Sequence, residues 1–267
     1  MDQYRLEKVS KIFDRRLVAV DGIDLGVQRG ERVALIGPSG AGKTTLFRML
    51  NCTLRPTAGR LWINGDEVVT LHGKRLREAR RKIGTIYQQH NLIPRLKVVH
   101  NVLAGNLGQW STVRSLISLV RPADLELAYR ALRQVGIEEK IFIRTDELSG
   151  GQQQRVAIAR VLIQNPEAIL ADEPVSSVDP SLATVIVKLL LEISQKTRKT
   201  LLVNLHSVDL ALAYFPRVIG INSGKALFDL PPDKVSDDLL EELYSGHLPD
   251  SQENGLIDEE SKSLVYQ

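Results

Sequence analysis

The stretch Gly37-Pro38-Ser39-Gly40-Ala41-Gly42-Lys43-Thr44-Thr45 follows the apolar run Val33-Ala34-Leu35-Ile36 and leads into Leu46-Phe47-Arg48-Met49-Leu50. Its spacing is G-x-x-x-x-G-K-T. Glycines at the bend let successive backbone N–H groups point inward at phosphate oxygens, the lysine reaches the β- and γ-phosphates, and the threonine hydroxyl suits Mg2+. A helix opening directly after the loop adds free N–H groups and the positive end of its dipole. Since a buried-strand pattern precedes the motif and a helical one follows, the stretch predicts strand, phosphate loop and helix rather than an ordinary glycine-rich turn.

Composition sets the outer limits. With 267 residues, 43% hydrophobic and 25% charged, the chain reads as a globular protein able to bury roughly three quarters of its unfolded surface. No uninterrupted apolar run of about eighteen residues is present, so a membrane role would run through a partner. The first twenty residues read as folded sequence rather than a secretory signal, and the single cysteine, Cys52, excludes an internal disulfide. Both favour the cytoplasm. A net charge of +3 is too small to argue for nucleic acid.

Residues 4–9 and 22–27 alternate apolar and polar side chains, as strands of a small sheet do. Phe13 stands between them among charged residues, where its ring suits either an adenine or the core. Leu61-Trp62-Ile63 reads as a short strand and Asn64-Gly65 as a hairpin turn. Lys74, Arg75, Arg77, Arg80, Arg81 and Lys82 form a basic run without interleaved aromatics, which fits a solvated helix face better than a nucleic-acid patch. Ile83-Gly84-Thr85-Ile86-Tyr87 predicts a strand ending at Gln88, where open α/β sheets keep their ligands.

From Asn101 to about Asn165 the pattern turns helical, as an inserted subdomain would. Leu148-Ser149-Gly150-Gly151-Gln152 opens a long helix, and Ser149 with Gln152 fits either a capping box or a second anion site. Ala168-Ile169-Leu170-Ala171 predicts a buried parallel strand delivering Asp172 and Glu173 to its carboxyl end. In phosphoryl-transfer sites an aspartate there holds Mg2+, and a carboxylate beside it orients or deprotonates the attacking water. Adjacent strand residues point to opposite faces, so the two acids divide the work. The alternative is a pair of helix caps. Asp179 and Pro180 suit the N-cap and first turn of a helix over 181–195. The strand 200–205 ends at His206, and a lone histidine there suits either a structural role or, at the end of a parallel strand in a phosphate-binding sheet, donation to a γ-phosphate. Residues 218–222 and 226–229 flank a turn, 236–244 form a short capped helix, and 250–267, with five acids and one lysine, read as a mobile tail.

Taken in this order, residues 37–45, Gln88, 148–152, 168–173, 177–179 and His206 resemble the ATP-binding cassette ATPases. The resemblance covers nearly the whole chain to about residue 245. It implies an α/β P-loop NTPase fold: a RecA-like core with a small antiparallel β subdomain (about 1–88 and 166–245), an inserted α-helical subdomain (about 89–165), and an acidic tail (246–267). It further implies that Phe13 stacks on the adenine and that Gly37, Pro38, Ser39, Gly40, Ala41, Gly42, Lys43, Thr44 and Thr45 bind the phosphates. Thr44, Gln88 and Asp172 would then serve Mg2+, with Glu173 the catalytic base and His206 the γ-phosphate contact. Ser177-Val178-Asp179 departs mildly from the family, which usually has leucine in the middle, and leaves Asp179 in place.

The chain has two anion sites but one complete nucleotide loop. A two-fold pair would therefore set Ser149, Gly150, Gly151 and Gln152 of one copy, with Asp179, against ATP on the other. Residues 88–96, 111–116 and 202–212 resemble more closely the ATPase subunits of phosphonate and phosphite importers. That resemblance implies a membrane permease partner, an extracytoplasmic substrate-binding protein, a place on the cytoplasmic side of the cell membrane, and no nucleic acid. The alternatives are an importer of phosphate or a polar amino acid, and a soluble ATP-switched module acting on nucleic acid or ribosomes.

Overall fold

The computed structural model describes residues 2–14, 16–111, 118, 122, 124–176 and 178–245. The acidic tail, Ser177 and most of the 111–116 stretch lie outside them.

Strands β1 (Asp2–Phe13), β2 (Leu17–Gln28), β4 (Ala58–Ile63) and β5 (Asp66–Glu67) form an antiparallel sheet in the order β2-β1-β4-β5. A second sheet holds β3 (Arg32–Ile36), β6 (Ile83–Ile86), β7 (Ala168–Asp172), β8 (Thr200–Asn204), β9 (Arg217–Asn222) and β10 (Lys225–Leu230) in the order β10-β9-β3-β8-β7-β6. All its neighbours are parallel except the β9–β10 hairpin. The central strands are short apolar runs because both faces of this sheet are covered.

Alternation along each strand divides the core in two. Ala34, Ile36, Ile169, Ala171, Leu201 and Val203 join one apolar cluster, while Val33, Leu35, Ala168, Leu170 and Leu202 join the other. The first cluster is covered by helices α5 (Gly150–Gln164) and α6 (Pro180–Thr197), with α3 (Val98–Leu103) and α4 (Leu125–Gln134) packed on α5. The second includes α1 (Lys43–Leu50) and the inner face of the antiparallel sheet. Helix α2 (Gly73–Arg81) buries no residue, as expected of the solvated basic face. Two further helices, α7 (Val208–Tyr214) and α8 (Asp237–Tyr244), complete the layer. Among the described residues no helix is long and apolar enough to cross a membrane.

The first hairpin is longer than the alternation at 4–9 and 22–27 predicts. Register shifts at Leu6/Val9, Val9/Lys11 and Lys11/Ile12 carry pairing on to Phe13 while breaking the two-residue period. Helix α7, which no periodic pattern announces, starts from Ser207, whose hydroxyl accepts from the Leu210 N–H at 3.3 Å.

Leu190 on α6 is fully buried, whereas the Lys74 side chain on α2 is 86% exposed. Leu190→Ala is expected to lower unfolding free energy in urea by about 2–5 kcal/mol. Lys74→Ala should change it by less than about 0.5 kcal/mol.

Candidate functional site

The loop between β3 and α1 is built by close backbone approaches. Gly37 (φ 146°) and Gly42 (φ 100°) have no room for a side chain, since a Cβ would sit 1.9 Å from the Ile221 carbonyl oxygen and 2.1 Å from that of Ala19. The Gly224 N–H donates to the Ala41 carbonyl at 2.9 Å and fixes the loop to the β9–β10 turn. Lys43 is only 4% exposed, and its Nζ donates to the Gly37 and Pro38 carbonyls at 2.7 and 2.8 Å. Burial pushes this ammonium below the ordinary lysine range, and the charges of Glu173 and Asp172 oppose the shift. No side chain caps α1, so its first N–H groups remain available to a phosphate. Ser39, Gly40 and Thr44 are exposed on the same loop and Thr45 is half-buried.

Asp172 ends β7 beside two donors. Its Oδ1 accepts from Asn204 Nδ2 at 2.7 Å and from Thr44 Oγ1 at 3.3 Å. Burial raises this carboxyl above the usual aspartate range, while the Asn204 amide and Thr44 hydroxyl pull it back. The strand stops there. Glu173 takes φ 50° and donates its N–H to the Asn204 carbonyl at 3.2 Å. This left-handed step, rather than strand alternation alone, separates the two acids. Glu173 Oε1 lies 2.7 Å from His206 Nε2, with the carboxylate side chain 15% and the imidazole 45% exposed.

Gln88 lies exposed in the turn after β6, and the pairing of Ile86 with Ala171 brings it to the same end of the sheet as Asp172. Beyond it His90 (φ 53°) and Asn91 (φ 48°) are both left-handed. Arg160 on α5 holds that bend, donating to their carbonyls at 2.8 and 2.6 Å. Phe13 ends β1 half-buried, outside both apolar clusters, with the Lys11 ammonium 5.2 Å from its ring centroid. The core alternative for Phe13 is thereby corrected: the register shifts carry β1 past the edge of the packed face.

Ser149 caps α5 in a full capping box. Its hydroxyl accepts from the Gln152 N–H at 3.4 Å, and Gln152 Oε1 accepts from the Ser149 N–H at 3.0 Å. Gly151 packs against Leu182, whose Cδ2 would lie 2.2 Å from a Cβ there and would have to shift to admit one. Gly150 and Ser149 are exposed. Asp179 caps α6, accepting from the Leu182 N–H at 2.9 Å and from the Ser181 hydroxyl, which together hold its carboxyl below the usual range.

The structure thus gathers Lys43, Thr44, Asp172, Glu173 and His206 at the carboxyl ends of β3, β7 and β8. Among the described residues no hydrogen bond or ion pair joins Ser149, Gly150, Gly151, Gln152 or Asp179 to the glycine loop. Nothing in the sequence marks Asn204 or Arg160. The pairing of Asp172 with Asn204 across β7 and β8, and a contact 69 or 70 residues distant, leave no local pattern to read. The donor set fits a small hard cation. One carboxylate and one hydroxyl suit Mg2+, which keeps several waters and takes phosphate oxygens, and no group of three metal-binding His, Cys, Asp or Glu residues occurs among the described residues.

Residues 20–176 match the family described as ABC transporter. The phosphonates import ATP-binding protein PhnC 3 of Halalkalibacterium halodurans is 43% identical over 238 residues, covering 89% of this chain and 92% of that one. The corresponding protein of Thiobacillus denitrificans is 44% identical over 265 residues, covering 99% and 98%. Among solved structures, the dimeric bacterial ABC transporter cassette MJ0796 superimposes with a TM-score of 0.75 at 31% identity, covering 86% of this chain and 98% of that one. A post-hydrolysis dimer of the same cassette with ADP and Pi gives 0.71 at 30%, with the same coverage. With the phosphate loop, the strand-end acids and these similarities together, the chain belongs to the ABC transporter family, as one of its ATPase cassettes.

Proposed function

We propose that this chain hydrolyses MgATP on the cytoplasmic side of a membrane to drive an importer, in which two copies dock on permease subunits. The cargo is a phosphonate, phosphite or related phosphorus oxyanion handed over by an extracytoplasmic binding protein. One observation carries the ATPase reading: β3, β7 and β8 deliver a buried lysine, a metal-type aspartate and a Glu173–His206 pair to one rim of the sheet. The cargo reading is supported by the names of relatives at 43% and 44% identity over most of both chains.

In this reading the ring of Phe13 stacks on the adenine. Residues Gly37, Pro38, Ser39, Gly40, Ala41, Gly42 and Thr45 present the loop to the phosphates, and Lys43 exchanges its two carbonyl partners for phosphate oxygens. Thr44, Asp172 and Gln88 would hold Mg2+, which would supply positive charge against that developing on the phosphate oxygens. Glu173 accepts a proton from the water whose oxygen attacks the γ-phosphorus. The bond from that phosphorus to the bridging oxygen breaks, and ADP and phosphate leave. His206 steadies the Glu173 carboxylate and turns its Nε2 to the γ-phosphate when ATP is present. Ser149, Gly150, Gly151 and Gln152 of the second copy, with its Asp179, close over the same phosphate. This fits a corner that is exposed and unconnected to its own loop.

The docking surface is a groove of about 520 Å³ between α2, the β6 edge and α5, lined in part by Arg77, Arg81, Tyr87, Gln109 and Arg160. Among the described residues the Arg77 and Arg81 guanidinium groups enter no hydrogen bond or ion pair. The groove therefore favours a permease helix with acidic residues.

Glu173→Gln is expected to keep MgATP binding and lose about 10²- to 10⁴-fold in turnover, measured by phosphate release. Near-normal turnover would remove Glu173 as the base. For the docking groove, Arg77→Glu with Arg81→Glu should leave the ATPase rate of the isolated subunit intact and abolish co-purification with the permease from detergent-solubilised membranes. Retained co-purification would exclude this surface. In proteoliposomes carrying the permease and binding protein, a phosphonate or phosphite should stimulate ATP turnover. Stimulation by phosphate or an amino acid alone would reassign the cargo.

A further inference from the structure

We propose that Asn204 is a positioning residue for the metal site: its side-chain amide fixes the Asp172 carboxylate. The inference rests on the reading that Asp172 serves Mg2+.

β8 is buried along its whole length, and Asn204 is its fully buried last residue, following Leu201, Leu202 and Val203. An amide in such a place costs stability unless each polar atom finds a partner. The register sets Asn204 beside Asp172, and Nδ2 donates to the same Oδ1 that accepts from Thr44. The Asn204 backbone carbonyl meanwhile receives the Glu173 N–H at 3.2 Å, at the left-handed step that turns Glu173 toward His206. One residue therefore holds both acids, one through its side chain and the other through its main chain.

Charge decides which way the amide faces. Reversed, it would press Oδ1 against a carboxylate oxygen, two acceptors with no proton between them. In the observed orientation Oδ1 is buried and has no hydrogen-bond partner. That unpaired acceptor is the cost of turning the donor toward Asp172. Residues that orient a metal ligand in this way typically change metal affinity by about 10- to 100-fold when removed.

The test is Mn2+ binding to the full chain in the presence of ADP, followed by loss of the free-ion EPR signal, beside ADP affinity measured in EDTA. Asn204→Leu keeps the size and removes both polar atoms. It is expected to raise the Mn2+ Kd about tenfold or more while metal-free ADP affinity stays within about twofold. Should the leucine variant fail to fold, Asn204→Val, whose branched side chain suits a strand, carries the same criterion. Unchanged Mn2+ affinity in a folded variant overturns the inference, as does an equal loss of ADP binding in EDTA, which would mark a merely structural role. Asp172→Asn separates the two levels. If it too leaves Mn2+ binding intact, the metal reading of Asp172 fails. If it abolishes binding while Asn204→Leu does not, only the role of Asn204 fails.

Discussion

The carboxylate of Asp172 is gripped from two directions, by the Thr44 hydroxyl from the helix after β3 and by the Asn204 amide from β8. Those contacts join the ends of three neighbouring strands at one point. Half-buried against its own tendency to ionise, the carboxylate is sustained by these two donors, with Lys43 nearby. The remaining parts of the site are arranged around it. The phosphate loop keeps its curl because Gly37 and Gly42 press against the backbone of Ile221 and Ala19, and Glu173 leaves the strand one residue later to reach His206.

Much of this rim can be read along the chain because its chemistry is local. Gly37, Gly42 and Lys43 declare a loop by their spacing, and the short apolar run before Asp172 declares a strand whose end must carry function. Ser149 and Gln152, three residues apart, announce a capping box that the structure contains. What sequence reading misses depends on register and distance. Asn204 matters because it sits opposite Asp172, and nothing in Leu-Leu-Val-Asn says which strand lies alongside. Arg160 reads as one more polar residue in a helix until α5 folds back onto the turn at His90 and Asn91. The left-handed backbone of Glu173 is likewise hidden, since glutamate has no intrinsic preference for that region.

Helix α5 connects two parts of the proposed cycle. Its N-terminus presents Ser149 and Gly150 at the surface, and near its other end Arg160 clamps the bend following Gln88. At about 1.5 Å per residue the eleven steps from Ser149 to Arg160 span roughly 16 Å of helix, with Val156, Ala157, Ile158 and Ala159 buried. The turn that carries Gln88 is thus tied through Arg160 to the helix whose N-terminus is the corner proposed to meet the second copy's nucleotide. The basic groove lined by Arg77 and Arg81 also includes Arg160, so a permease helix seated there would rest against the same bend.

The central claim is that each triphosphate is held by two copies, the glycine loop of one and the Ser149 corner of the other. A crystal structure of the Glu173→Gln chain grown with MgATP tests it most directly. The account predicts a two-fold pair with the γ-phosphate within hydrogen-bond reach of Lys43 from one copy and Ser149 from its mate. Nucleotide bound on the loop with every Ser149 facing bulk solvent would contradict it.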